Sequence, residues 1–115
     1  MDLRAVAKTA LLFRDARRWR PFHTPANLAK GLTVEAAELL ELFTWTRTAP
    51  EERAVLAAKR TAIADELADV AVFLIYLCDA LEVDLAAAIR AKLAKNAKKY
   101  PVAKARGSAK KYSDL

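Results

Sequence analysis

Two acidic pairs, Glu35 with Glu38 and Glu66 with Asp69, recur at a spacing of three residues inside stretches that are otherwise apolar. An α-helix turns about 100° per residue, so this spacing leaves both members of a pair on one face, roughly 60° apart. In TVEAAELLELF that face also carries Val34, Leu39, Leu42 and Phe43, and in DELADVAVFLIYL it carries Val70, Phe73 and Leu77. A carboxylate withdrawn from water is costly unless it is protonated, paired or bound to metal. Four of them aimed at one core call for a cation, and the pattern reads as a metal site built between two helices. Glu41, Glu51 and Glu52 lack such surroundings and read as solvated surface.

The donor set narrows the metal. The single histidine, His23, falls in a loop and the single cysteine, Cys78, has no partner, so only hard oxygen ligands remain. These suit Mg²⁺, with Mn²⁺ able to substitute. A di-iron bundle would need a Glu-x-x-His motif on each of two helices, and the chain has none. Nor does it have a glycine-rich phosphate loop, a zinc spacing, or a serine or cysteine nucleophile beside a base. Four carboxylates around an ion leave surplus negative charge, an arrangement that recruits phosphate already carrying metal.

Cationic and aromatic groups complete such a site. Lys92, Lys95, Asn96 and Lys99 share one face of a late helix, and Lys92 and Asn96 are the pair best placed for phosphate. Trp19, Phe22 and His23 cluster before the second helix and Trp45 lies at its end, in polar contexts where a ring can stack on a base. Hydrolysis of a phosphoryl group needs an ion to polarise it, a carboxylate to hold or deprotonate water, and cations for the leaving group.

The elements that position these groups are helical. The 115 residues are 55% hydrophobic with only two glycines, which reads as one all-α domain spanning 1–115. A first helix runs from about Asp2 to Arg18, with Val6, Leu11 and Leu12 inward and Arg4, Lys8, Arg14 and Arg17 outward. Thr24 caps a second, with Pro25 in its first turn and Gly31 a weak point, continuing to about Trp45. Thr48 and Glu51 have capping-box spacing and open a third that runs to about Leu81, with room for a kinked start near Ala57. Asp84 caps a fourth that stops before Pro101, and a basic tail follows from about Val102. The protomer is expected to be four-helix bundle-like.

Val70 to Cys78 is apolar on every side, more than one small bundle covers, which predicts assembly into a larger oligomeric bundle as a dimer or tetramer. Nine residues are too few to span a bilayer. Cys78 within that run reads as a small buried hydrophobe. The start of the chain, with Asp2 and Arg4, lacks the apolar core of a signal peptide, so a cytoplasmic protein is expected. The net charge of +6 is uneven: residues 90–115 carry nine basic groups against one acid, whereas residues 1–89 carry eleven against thirteen. An acidic cluster with a basic tail suits a metal-bound polyphosphate, and composition alone would equally suit nucleic acid.

Taken together, Trp19-x-x-Phe22-His23-x-Pro25-x-Asn27-Leu28, Glu35-x-x-Glu38, Phe43-x-Trp45, Glu66-x-x-Asp69, Lys92-x-x-x-Asn96 and Tyr100-Pro101 resemble the all-α nucleoside triphosphate pyrophosphohydrolases of the MazG-like superfamily, closest to the dCTP pyrophosphatase branch. The tail from Arg106 to Leu115 resembles that branch too. The resemblance implies a Mg²⁺-dependent enzyme that cleaves a (deoxy)nucleoside triphosphate between its α and β phosphates, giving the monophosphate and pyrophosphate. By position, it makes Glu35, Glu38, Glu66 and Asp69 the metal ligands and catalytic carboxylates. Trp19, Phe22, His23, Trp45 and Phe73 would line the nucleoside pocket, and Lys92 and Asn96 would face the phosphates. It also implies a homo-oligomer, commonly a tetramer, and a role in clearing surplus or non-standard nucleotides. Two positions depart from the branch: Ala10 stands where a histidine is usual and Phe73 where a tyrosine is usual, which leaves the base preference open. The alternative from another class is a basic helical nucleic-acid binder without catalysis, indifferent to Mg²⁺ and steeply salt-dependent. A purely structural bundle, taking up no metal, is a third.

Overall fold

The computed structural model describes residues 2–115, and among these there are six α-helices and no strand. They fall into two compact units, 2–82 and Val83–Leu115.

In the first unit, helix α1 (Leu3–Ala16) is opened by Asp2, whose Oδ1 accepts from the Ala5 amide at 2.8 Å. Arg18, in the left-handed region at φ 54°, ends it, and Pro21 sits in a single 3-10 turn, Arg20–Phe22. Thr24 caps α2 (Pro25–Glu41) as expected, accepting from the Asn27 amide at 3.2 Å. Asn27 in turn donates from Nδ2 to the Phe22 carbonyl at 3.1 Å, tying the aromatic loop to the helix it precedes. The helix stops at Glu41, and Leu42 to Trp45 form turns instead of a last helical turn.

The expected third helix is divided. Thr48 caps α3 (Ala49–Ala58), accepting from the Glu51 amide at 3.3 Å, while Glu51 accepts from the Arg47 amide at 2.7 Å. Lys59, at φ −121° and ψ 28°, leaves helical geometry, and α4 (Arg60–Leu81) begins after it, two residues beyond the expected kink. Glu82 closes α4 in the left-handed region.

Helix α4 is the hub of this unit: α2 packs along it most extensively, and α1 and α3 pack on it less. Leu28 and Tyr76 are the buried hydrophobic side chains, at 1% and 5% exposure. The inward face of α1 differs from expectation. Ala7, Ala10, Leu11 and Arg14 are the residues turned away from solvent, whereas Val6 and Leu12 are exposed. Their spacing of i, i+3, i+4 and i+7 is that of one helical face. Arg14 is therefore buried, not outward.

In the second unit, Asp84 accepts from the Ala87 amide at 3.0 Å and opens α5 (Leu85–Lys99), which ends before Pro101 as expected. The tail is partly ordered into α6 (Val102–Ala105) and a terminal 3-10 turn, Tyr112–Asp114. Tyr112 folds back so that its ring meets Tyr100 edge-on at 6.0 Å and lies 4.8 Å from the Lys99 ammonium.

Candidate metal centre and its surroundings

Helices α2 and α4 each bring one half-buried acid to their shared interface. On α2 the line turned from solvent runs Leu28, Gly31, Leu32, Glu35, Leu39, Leu42, and on α4 it runs Ile63, Glu66, Val70, Phe73. Glu35 and Glu66 are members of these lines, while Glu38 and Asp69, three residues on, lie at the exposed edge. Carboxylate oxygens of Glu35, Glu38 and Glu66 all fall within 4.8 Å of one another. Asp69 stands outside that group, yet its charge reaches both Glu35 and Glu66.

The electrostatics record the crowding. Glu35 has its pKa raised to about 7, first by the adjoining Glu38 carboxylate, then by partial burial, Glu66 and the charge of Asp69. Burial pushes Glu66 up as well, with Glu38 and Asp69 adding to it and the hydrogen bond from Glu35 pulling the other way. One oxygen of Glu35 and one of Glu66 are buried with no hydrogen-bond partner. A buried acceptor without a donor is expensive, and two converging from facing helices fit a cation better than any protein donor present. The donor set is all carboxylate oxygen, suited to a hard divalent ion.

Gly31 is what lets the two helices approach. A Cβ there would lie 2.7 and 2.9 Å from Cζ and Cδ1 of Phe73, so the ring occupies the space of the missing side chain. The glycine that weakens α2 by propensity is the place where α4 packs against it.

The aromatic loop is assembled on α1 and α4. Trp19, 42% exposed, meets Phe13 edge-on at 5.9 Å and His23 at 6.4 Å. His23 is half-buried, with its ring 5.0 Å from that of Tyr76, and its Nδ1 is buried and unpartnered. Burial, followed by the charge of Arg14, holds its pKa below the ordinary histidine value. Phe22 is exposed and Trp45 is 83% exposed beyond the end of α2. Neither is drawn into the Trp19–His23–Tyr76 row. Lys92 is exposed and Asn96 half-buried on α5, in the second unit.

Tyr76 within this row, and Arg14 and Asp79 beneath it, are given no role by the sequence. Arg14 donates from Nη1 to Asp79 at 2.7 Å and from Nε to Asp15 at 2.8 Å, and its guanidinium lies 5.8 Å from the Tyr76 ring centre. The Tyr76 hydroxyl donates to the Ala10 carbonyl at 3.0 Å. The signal for Arg14 was its place on the Ala7, Ala10, Leu11 face, hidden because alanines mark that face only weakly. Asp79 could have been found as the acid closing the apolar run of α4.

The MazG-like family model matches residues 31–115, which include all four acids. The chain is 42% identical over 104 residues to dCTP pyrophosphatase 1 of Mus musculus and 38% identical over the same length to that of Homo sapiens. Each alignment covers 90% of this chain and 61% of the relative, so the chain spans less than two thirds of their length. A solved pyrophosphatase from Archaeoglobus fulgidus superposes with a TM-score of 0.83 at 41% identity, covering 86% of this chain and 92% of that one. With the acidic pairs on facing helices and the family pattern running through both, the chain belongs to the MazG-like family.

Proposed function

We propose that the protein is a Mg²⁺-dependent nucleoside triphosphate pyrophosphohydrolase, cleaving a (deoxy)nucleoside triphosphate between the α and β phosphates to a monophosphate and pyrophosphate. The observation that carries this reading is the meeting of Glu35, Glu38 and Glu66 across α2 and α4, with two buried oxygens left unpartnered. Likeness to dCTP pyrophosphatases and to a solved pyrophosphatase supports it.

Glu35, Glu38 and Glu66 would hold the ion, with Asp69 completing the negative field. When bound, the ion supplies positive charge that polarises phosphoryl oxygens and offsets the repulsion among the acids. Glu38, the exposed member of the three, is the one free to accept the proton of an attacking water. Trp19 and His23 would receive the nucleoside, with Phe22, Phe73 and Trp45 contributing apolar and stacking surface. By position in the family pattern, Lys92 would offset phosphate charge and the Asn96 amide would donate a hydrogen bond to a phosphate oxygen. A homo-oligomer, dimer or tetramer, is part of the same reading, as is work in the cytoplasm on the nucleotide pool.

The test is pyrophosphate release with Mg²⁺ across dCTP, dTTP, dUTP, dATP, dGTP, the ribonucleotides and 5-substituted dCTPs. Glu38→Ala and Asp69→Ala should each abolish release while preserving helical content. Turnover retained in either variant refutes the assignment, and Mg²⁺-indifferent binding of nucleic acid in place of turnover would favour the basic binder.

A further inference from the structure

Arg14 is the one buried charged side chain among the described residues, at 3% exposure, and nothing in the reaction outlined above uses it. Arg14 is buried while its partners Asp79 and Asp15 keep 32% and 48% of their side-chain exposure, so desolvating the guanidinium offsets part of what the pairing contributes to stability. Their placement is more specific than that. The guanidinium is fixed to α4 through Asp79 and to its own helix through Asp15. It lies 5.8 Å from the centre of the Tyr76 ring, within cation–π range. Tyr76 is anchored at its other end to the Ala10 carbonyl, and the His23 ring rests 5.0 Å from it. His23 then meets Trp19, and Nδ1 of His23 is left buried without a protein partner.

We infer that Arg14 is a positioning residue for nucleoside recognition: braced by Asp79, it fixes Tyr76, and Tyr76 fixes His23 so that Nδ1 is reserved for a hydrogen bond to the nucleoside portion of the substrate. This rests on the pyrophosphohydrolase reading. The groups facing His23 are Tyr76 from α4, Arg14 from α1 and Trp19 from its own loop. Arg14 is the one that carries a charge, and with burial it favours the neutral imidazole. A neutral ring suits an uncharged hydroxyl or base edge, whereas a phosphate would call for imidazolium.

The chain's single histidine makes the test clean. In wild-type protein the His23 imidazole, followed by NMR, should titrate below the ordinary histidine value of 6.5. In Arg14→Met it should move upward. The same variant should raise KM for the preferred nucleotide by roughly tenfold, the scale of one lost hydrogen bond, with kcat and inhibition by inorganic tripolyphosphate unchanged. Tyr76→Phe, which keeps the ring but frees it from Ala10, should also raise KM without touching tripolyphosphate inhibition, and it decides the matter if Arg14→Met does not fold. The inference is overturned if wild-type His23 titrates at or above 6.5, or if nucleotide and tripolyphosphate affinity fall together. Should the wild type hydrolyse no nucleoside triphosphate, the parent reading fails, while the dependence of His23 titration on Arg14 is measured independently of it.

Discussion

Glu35 is a carboxyl that ordinarily loses its proton near 4.5 and in this fold keeps it to about 7. Across that window Glu35 in the metal-free native state binds more protons than in the unfolded chain, so its contribution to stability falls as the pH rises, while His23, held below 6.5, works the other way. The benefit of acid is complete below 4.5 and gone above about 7. Thermal melts of metal-free protein should therefore lose more melting temperature from pH 5 to pH 8 in the wild type than in Glu35→Gln, which leaves His23 in place, and Mg²⁺ or Mn²⁺ should reduce the wild-type loss by holding the carboxylates ionised. An identical change from pH 5 to pH 8 in the wild type and in Glu35→Gln would show that Glu35 is not crowded as described. The acids themselves were legible from spacing, because ionisable groups inside apolar runs are conspicuous. What spacing did not give was rank: Glu35 and Glu66 turn inward, whereas Glu38 and Asp69, displaced about 60° by three residues, sit at the edge. Arg14 was illegible for the opposite reason, since a long polar side chain on a face marked by alanines looks like surface until the opposing Asp79 is known.

At the scale of the helix pair, the contact between Gly31 and Phe73 sets how closely α2 and α4 approach, and hence how near Glu35 comes to Glu66. Gly31→Ala would gain helix propensity, up to about 1 kcal/mol, but the added methyl overlaps the Phe73 ring and overpacking costs about 1–3 kcal/mol. The packing cost wins, so calorimetric melting should show a destabilised protein with weakened metal binding, and Phe73→Leu should recover part of both losses in the double variant. An unchanged or higher melting temperature in Gly31→Ala would mean the helices are not held at this distance. The capped starts of α2, α3 and α5 were readable because Thr24, Thr48 and Asp84 are strong N-caps, each accepting from the third residue beyond. The break at Lys59 was harder to place, since Ala57, Ala58, Lys59 and Arg60 are all good helix formers and no proline or glycine marks it. The ordered turn after Pro101 was missed because composition there reports charge, and Tyr112 packing on Tyr100 is a contact between distant positions.

Many large apolar side chains among the described residues are left in contact with solvent. From Val70 to Cys78 only Tyr76 is buried, and Val34, Leu40, Trp45 and Leu67 are each more than half exposed. Exposed apolar side chains in such number are a feature of surfaces that associate. Sedimentation at micromolar concentration should give a dimer or tetramer, and Leu40→Glu should shift the distribution toward smaller species. A wild-type monomer would remove the oligomer from the account. Most of the fold class was legible at this scale, because two glycines, alanine-rich periodicity and apolar runs without alternation leave little besides helices.

The central claim is that Glu35, Glu38 and Glu66 bind one hard divalent ion between α2 and α4, and calorimetric titration with Mn²⁺ addresses it most directly. Wild-type protein should take up Mn²⁺, and Glu35→Gln and Glu66→Gln, which keep side-chain shape but remove charge, should each weaken uptake by more than about tenfold while remaining folded. Equal uptake by wild type and both variants, or no uptake by the wild type, would contradict it.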